Sequence, residues 1–73
     1  MTIPLAFAEF NKNFIIKNIK GSTENKNALV EKGFCCGEKV CLIRNFNNNF
    51  VVKIGNSQYV IGFGFAKDII VEC

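Results

Sequence analysis

The chain has 73 residues, a net charge of +3, eight Phe and no Trp or His. That length is one small domain, residues 1–73, burying roughly 60% of the surface its unfolded form exposes. Without His, the commonest general base and the commonest zinc ligand are both missing, which counts against an enzyme.

The lysines are spread along the chain rather than gathered into the dense patch of a dedicated nucleic-acid binder. No run approaches the ~20 apolar residues of a membrane helix. Met1–Phe10 is apolar but carries no basic leader and no small-residue cleavage site, so a cytoplasmic location is expected.

Taken in chain order, Pro4 opens a short helical turn that packs Leu5 and one Phe inward. Asn11–Asn13 is a polar turn. Phe14–Ile19, rich in β-branched and aromatic residues, is a strand interrupted by Lys17 and Asn18. Ser22 or Thr23 can cap a helix over about Glu24–Lys32, with Glu24 favoured in its first turn by the helix dipole. That helix is too short to stand alone and must dock its Leu29 face on a sheet. Gly33 sits where a helix end wants positive φ, Phe34 follows it onto the apolar edge of Leu29 and Val30, and Gly37 lets the chain reverse.

Lys39–Arg44 is the next strand, with Val40 and Leu42 on one face and Cys41 and Ile43 on the other. Asn45–Asn49 is a polar loop holding Phe46. Phe50–Ile54 and Ser57–Gly62 form a hairpin about Gly55-Asn56, a two-residue turn of type II′ or I′. That turn sets Ile54 opposite Ser57, Val52 opposite Tyr59 and Phe50 opposite Ile61, and so turns Phe50, Val52, Ile54, Tyr59 and Ile61 to one face. Gly62 and Gly64 allow a sharp bend, Phe65–Asp68 fit a single 3₁₀ turn, and Ile69–Glu72 is a last strand. The expected fold is mainly β: a small SH3-like barrel of about five short strands, one short helix and a 3₁₀ turn.

Four cysteines stand at 35, 36, 41 and 73. Cys35 and Cys36 are adjacent, where a bridge is strained, and the spacing matches no common zinc knuckle. Cys35, Cys36 and Cys41 are weak metal candidates, Cys73 is a frayed terminal residue, and reduced cysteines are the expected state.

The run Leu29-x-x-x-Gly33-Phe34-x-x-Gly37-x-x-Val40 resembles the core motif of the ferrous iron transport protein A (FeoA) family. Val52-x-Ile54, Tyr59-x-Ile61 and Ala66-x-x-Ile69-x-Val71 resemble that family's closing strands and the alanine of its 3₁₀ turn, and Pro4-Leu5 its start. Three positions depart from the pattern. Cys36 replaces the proline that commonly precedes the second glycine, Asn56 replaces a hairpin glycine, and Phe10-Asn11 replaces an N-terminal Pro-Gly. The resemblance implies a cytosolic, non-enzymatic accessory protein of bacterial ferrous iron uptake, with no cofactor, whose partner is the FeoB transporter with its cytoplasmic GTPase domain. The same barrel occurs at the C-terminus of iron-dependent repressors; no helix-turn-helix stands ahead of it here.

The candidate partner surface is Leu29, Phe34, Val51 and Val60, on the helix, the turn after it and the outward face of the hairpin. For Leu29 and Phe34 the plainer reading is core. Gly33, Gly37 and Gly55 are structural turn residues. Two other functions are open: a single-stranded nucleic-acid binder using Phe46, Tyr59, Phe63, Phe65, Lys53 and Arg44, and a metal carrier using the three clustered cysteines. Gly62-Phe63-Gly64 lacks the third glycine and the strand-to-helix context of a phosphate-binding loop.

Overall fold

The computed structural model describes residues 1–72; the expectation about Cys73 lies outside them. Six strands make one antiparallel sheet: β1 (Thr2–Pro4), β2 (Asn13–Ile19), β3 (Lys39–Phe46), β4 (Asn49–Ile54), β5 (Ser57–Gly62) and β6 (Ile69–Glu72), in the order β1-β6-β2-β3-β4-β5. A 3₁₀ turn at Leu5–Phe7, a helix α1 (Thr23–Glu31) and a single helical turn α2 (Phe63–Ala66) complete the chain.

Two bulges curl the sheet. The β2–β6 register shifts between Ile16 and Asn18, and the β3–β4 register shifts between Leu42 and Arg44. An extra residue on one strand of a pair bends it and raises its twist. The gap between the two edge strands is covered by α2, which packs on β5, β4 and the 3₁₀ turn. Phe7 and Phe63 meet across that gap edge to face, ring centres 6.3 Å apart.

The core is the inner face of this curled sheet. Leu5, Ile16, Phe34, Val40, Leu42, Val52, Ala66, Ile69 and Val71 are completely enclosed. No buried polar or charged residue interrupts them among the described residues.

The β4–β5 hairpin has the expected register throughout, Ile54 to Ser57, Val52 to Tyr59 and Phe50 to Ile61. Gly55 has φ +60° and Asn56 is not in the left-handed region, which selects the type II′ turn. Three expectations are corrected. Asn45–Asn49 is not a loop: β3 continues to Phe46, and only Asn47-Asn48, at φ +48° and +61°, turn the chain as a type I′ pair. Phe65–Asp68 does close as a turn, the Asp68 N–H donating to the Phe65 carbonyl at 3.0 Å, but as the end of a helical turn that begins earlier, at Phe63, and encloses Gly64. A sixth strand, β1, precedes the predicted helical turn; it has only three residues and ends in Pro4, which an edge strand tolerates because its N–H is not needed by the ladder.

Helix α1 is held at both ends. Ser22 Oγ accepts the Asn25 N–H at 3.2 Å, closing the N-terminus. At the other end the Phe34 N–H donates to the Leu29 carbonyl and the Gly33 N–H to the Val30 carbonyl, with Gly33 at φ +100°. This paired bonding is the Schellman arrangement, and it needs a residue without Cβ strain at Gly33. Leu29 is the one buried residue of the helix.

Candidate docking surface

The four residues expected to bind a partner separate into two pairs. Leu29 and Phe34 are at 2% and 0% exposure, within the core cluster, with Phe34 against Tyr59 at 5.9 Å between ring centres. Phe34 therefore offers a partner no surface, which corrects that expectation, and Leu29 offers only the small exposed part that lines the groove between α1 and β5. The Schellman bonds fix where both enter the core, so their role at any surface is support.

Val51 and Val60 are directly paired across β4 and β5, on the face opposite the core. Val51 is half-buried, and Val60 is 59% exposed. Alternation along a strand makes this unavoidable, because Val52 and Ile61 beside them must point inward. β5 is also the outer strand of the sheet, hydrogen-bonded to β4 alone.

Beside Val60 a groove of about 190 Å³ runs between α1 and β5, lined by Ala28, Leu29, Lys32, Val60, Ile61 and Phe65. Its base is apolar and a single cation, Lys32, stands on its helical wall. Ala28 and Lys32 were not singled out from sequence as surface residues. Their spacing of four places them on the same helix face and is the signal that could have found them.

The glycines behave as turn residues. Gly33, Gly37 and Gly55 have φ of +100°, +93° and +60°. Around Gly37 the Glu38 N–H donates to the Cys35 carbonyl at 3.1 Å and the Gly37 N–H to the Ile16 carbonyl at 2.8 Å. Cys35–Glu38 is thus a type II turn with Cys36 at its second position and Gly37 at its third.

Among the described residues, Cys35, Cys36 and Cys41 do not converge on one point. Cys36 is exposed and its Sγ lies 3.4 Å from the Lys17 carbonyl, while Cys41, half-buried on β3, directs its Sγ to the Leu42 carbonyl at 3.7 Å. Among the described residues no three His, Cys, Asp or Glu side chains are gathered as metal ligands. That corrects the reading of Cys35, Cys36 and Cys41 as a ligand set.

The aromatics proposed for base stacking are divided as well. Tyr59 and Phe65 pack against the core, Phe63 is engaged with Phe7, and Phe46 lies under the Arg44 guanidinium at 5.5 Å. They offer no shared platform. No helix among the described residues is long and apolar enough to cross a membrane.

Comparison with known proteins bears on the whole chain. The FeoA domain family matches residues 3–73. An Fe(2+) transport protein A of Methanocaldococcus jannaschii is 36% identical over 69 residues, covering 94% of this chain and 84% of that protein. A crystal structure of an iron uptake regulatory protein, FeoA, superposes with a TM-score of 0.89 at 24% identity, over 99% of this chain and 96% of that one. FeoA of Stenotrophomonas maltophilia in complex with zinc, described as a prokaryotic SH3 domain protein, superposes with a TM-score of 0.82 at 19% identity, over 99% of this chain and 89% of that one. The barrel is therefore SH3-like.

Proposed function

The chain belongs to the FeoA family, and from that premise we propose that it is an accessory protein of ferrous iron transport that acts by binding a FeoB-like transporter from the cytoplasmic side. The action is docking rather than catalysis.

The observation that carries the site is the exposed Val60, paired with Val51 and standing at the lip of the groove between α1 and β5. An apolar side chain more than half exposed on an outer strand, beside an apolar groove, is the physical signature of a protein contact. Gln58 and Val60 lie on the strand edge that has no neighbour in the sheet, so a segment of the partner can add backbone hydrogen bonds there. Lys32 favours a partner segment with an acidic residue at that point.

The test is binding of the full chain to the cytoplasmic domain of a FeoB-like transporter. Val60→Asp puts a charge where the contact is apolar while leaving the core untouched, and is expected to weaken binding at least tenfold with the melting temperature unchanged. Undiminished binding by Val60→Asp overturns the site, and no binding by the unaltered chain overturns the partner.

A further inference from the structure

The outward face of β2, β3 and β4 carries a second concavity of about 460 Å³, one strand in from the outer strand β5. It is lined by Asn11, Asn13, Lys39, Cys41, Ile43 and Lys53, with the β4–β5 turn at Gly55 closing one side. The register shows how it is built. Asn13, Cys41 and Lys53 form one row across the three strands, since Asn13 pairs with Cys41 and Cys41 with Lys53. Lys39, two residues before Cys41, shares that face. Lys39 and Lys53 are consequently diagonal neighbours, close enough for two long side chains to meet over Cys41.

The wall opposite the lysines is fixed. Asn11 is held in the left-handed region at φ +59°, its N–H donates to the Leu42 carbonyl at 2.7 Å, and Phe10 bridges Leu42. This anchors the segment before β2 against β3, so the concavity has a built side rather than a loose loop.

Its chemistry is one-sided. No carboxylate lines it. The ion pairs among the described residues engage Met1, Lys12, Lys17 and Lys67, and neither Lys39 nor Lys53 takes part. The side-chain amides of Asn11 and Asn13 make no hydrogen bond within the described chain. Two ammonium groups and two amides thus offer donors without an internal acceptor, above an apolar floor of Cys41 and Ile43.

We propose that this concavity binds a small molecule carrying a phosphate monoester on an apolar body. A dianionic phosphate has charge and terminal oxygens for both lysines and the amides together, whereas a carboxylate has one charge and two oxygens. The volume exceeds what a bare phosphate fills and falls in the range of small-molecule sites. The apolar body lies on Cys41 and Ile43.

The test is a titration of the isotope-labelled full chain, followed by backbone amide resonances, with inorganic phosphate and separately with phenyl phosphate. Shifts confined to residues 11–13, 39–43 and 53 are expected, with phenyl phosphate binding at least threefold more tightly. Lys39→Gln combined with Lys53→Gln is expected to weaken phenyl phosphate at least tenfold with an unchanged melting temperature; each single change, on an exposed side chain, serves if the double variant is unstable. Ile43→Ser is expected to remove the preference for phenyl phosphate while sparing inorganic phosphate. The proposal is overturned by shifts of similar size at Lys26 and Lys67, by equal affinity for the two probes, by lysine variants that bind as the unaltered chain does, or by no binding of either probe.

Discussion

At the residue scale, Cys36 shows how a departure from a family pattern can be read once its backbone position is known. From sequence it was an unexplained replacement of proline beside a second cysteine, open to a metal reading. The structure makes it the second residue of the type II turn Cys35–Glu38, a position where proline is favoured because its ring pre-sets the φ that the turn requires. The Cys36 N–H is not among the backbone donors that hold the turn. Cys36→Pro is therefore expected to stabilise the protein by about 0.4–1 kcal/mol, chiefly by restricting the unfolded chain. Urea unfolding at equilibrium checks this, and the thiol contact with the Lys17 carbonyl, made at an exposed position, is too weak to reverse it.

At the element scale, the two hairpins differ in how openly the sequence declares them. Gly55-Asn56 sits between two runs of alternating apolar residues, so turn chemistry and pattern agree, and the whole β4–β5 register is legible. Asn47-Asn48 lies in a run of asparagines without glycine, and its flanks, Asn45-Phe46 and Asn49-Phe50, do not alternate as a strand should. The hairpin there is set by β4, whose inward Phe50, Val52 and Ile54 fix the pairing that β3 follows. Asn tolerates the left-handed conformation that both turn residues adopt, whereas Ala does not. Asn48→Ala is thus expected to cost about 1 kcal/mol in equilibrium unfolding and Asn48→Gly nothing. The site was partly legible for a related reason. Val51 and Val60 follow from strand alternation, and the core reading of Leu29 and Phe34 follows from the glycine stop at Gly33, which the paired bonds at the helix end bear out. The concavity over Cys41 was not legible, because it joins residues of three strands and a bent approach segment.

At the scale of the whole molecule, the first and last strands complete the sheet as neighbours, Thr2 opposite Glu72 and Pro4 opposite Ile70. Glu72 joins them by charge as well. The Met1 ammonium lies 2.9 Å from one carboxylate oxygen and the Lys17 ammonium 3.8 Å from the other, and the first of these contacts, with the second adding to it, holds the Glu72 carboxyl below its ordinary value of 4.5. A depressed carboxylate contributes stability above its unfolded pKa and loses it as pH falls through the folded one. Stability is therefore expected to decline on the acid side of 4.5 in part through this pair, and Glu72→Gln to flatten that decline, read from urea midpoints at a series of pH values. The β1–β6 pairing also decides how the molecule answers to force. Handles at residues 2 and 72 sit at the same end of an antiparallel ribbon. Tension between them loads the interstrand hydrogen bonds one after another, as a zipper is opened, and never all together in shear. The barrel is mechanically soft along the line joining its ends, however firmly its interior is packed.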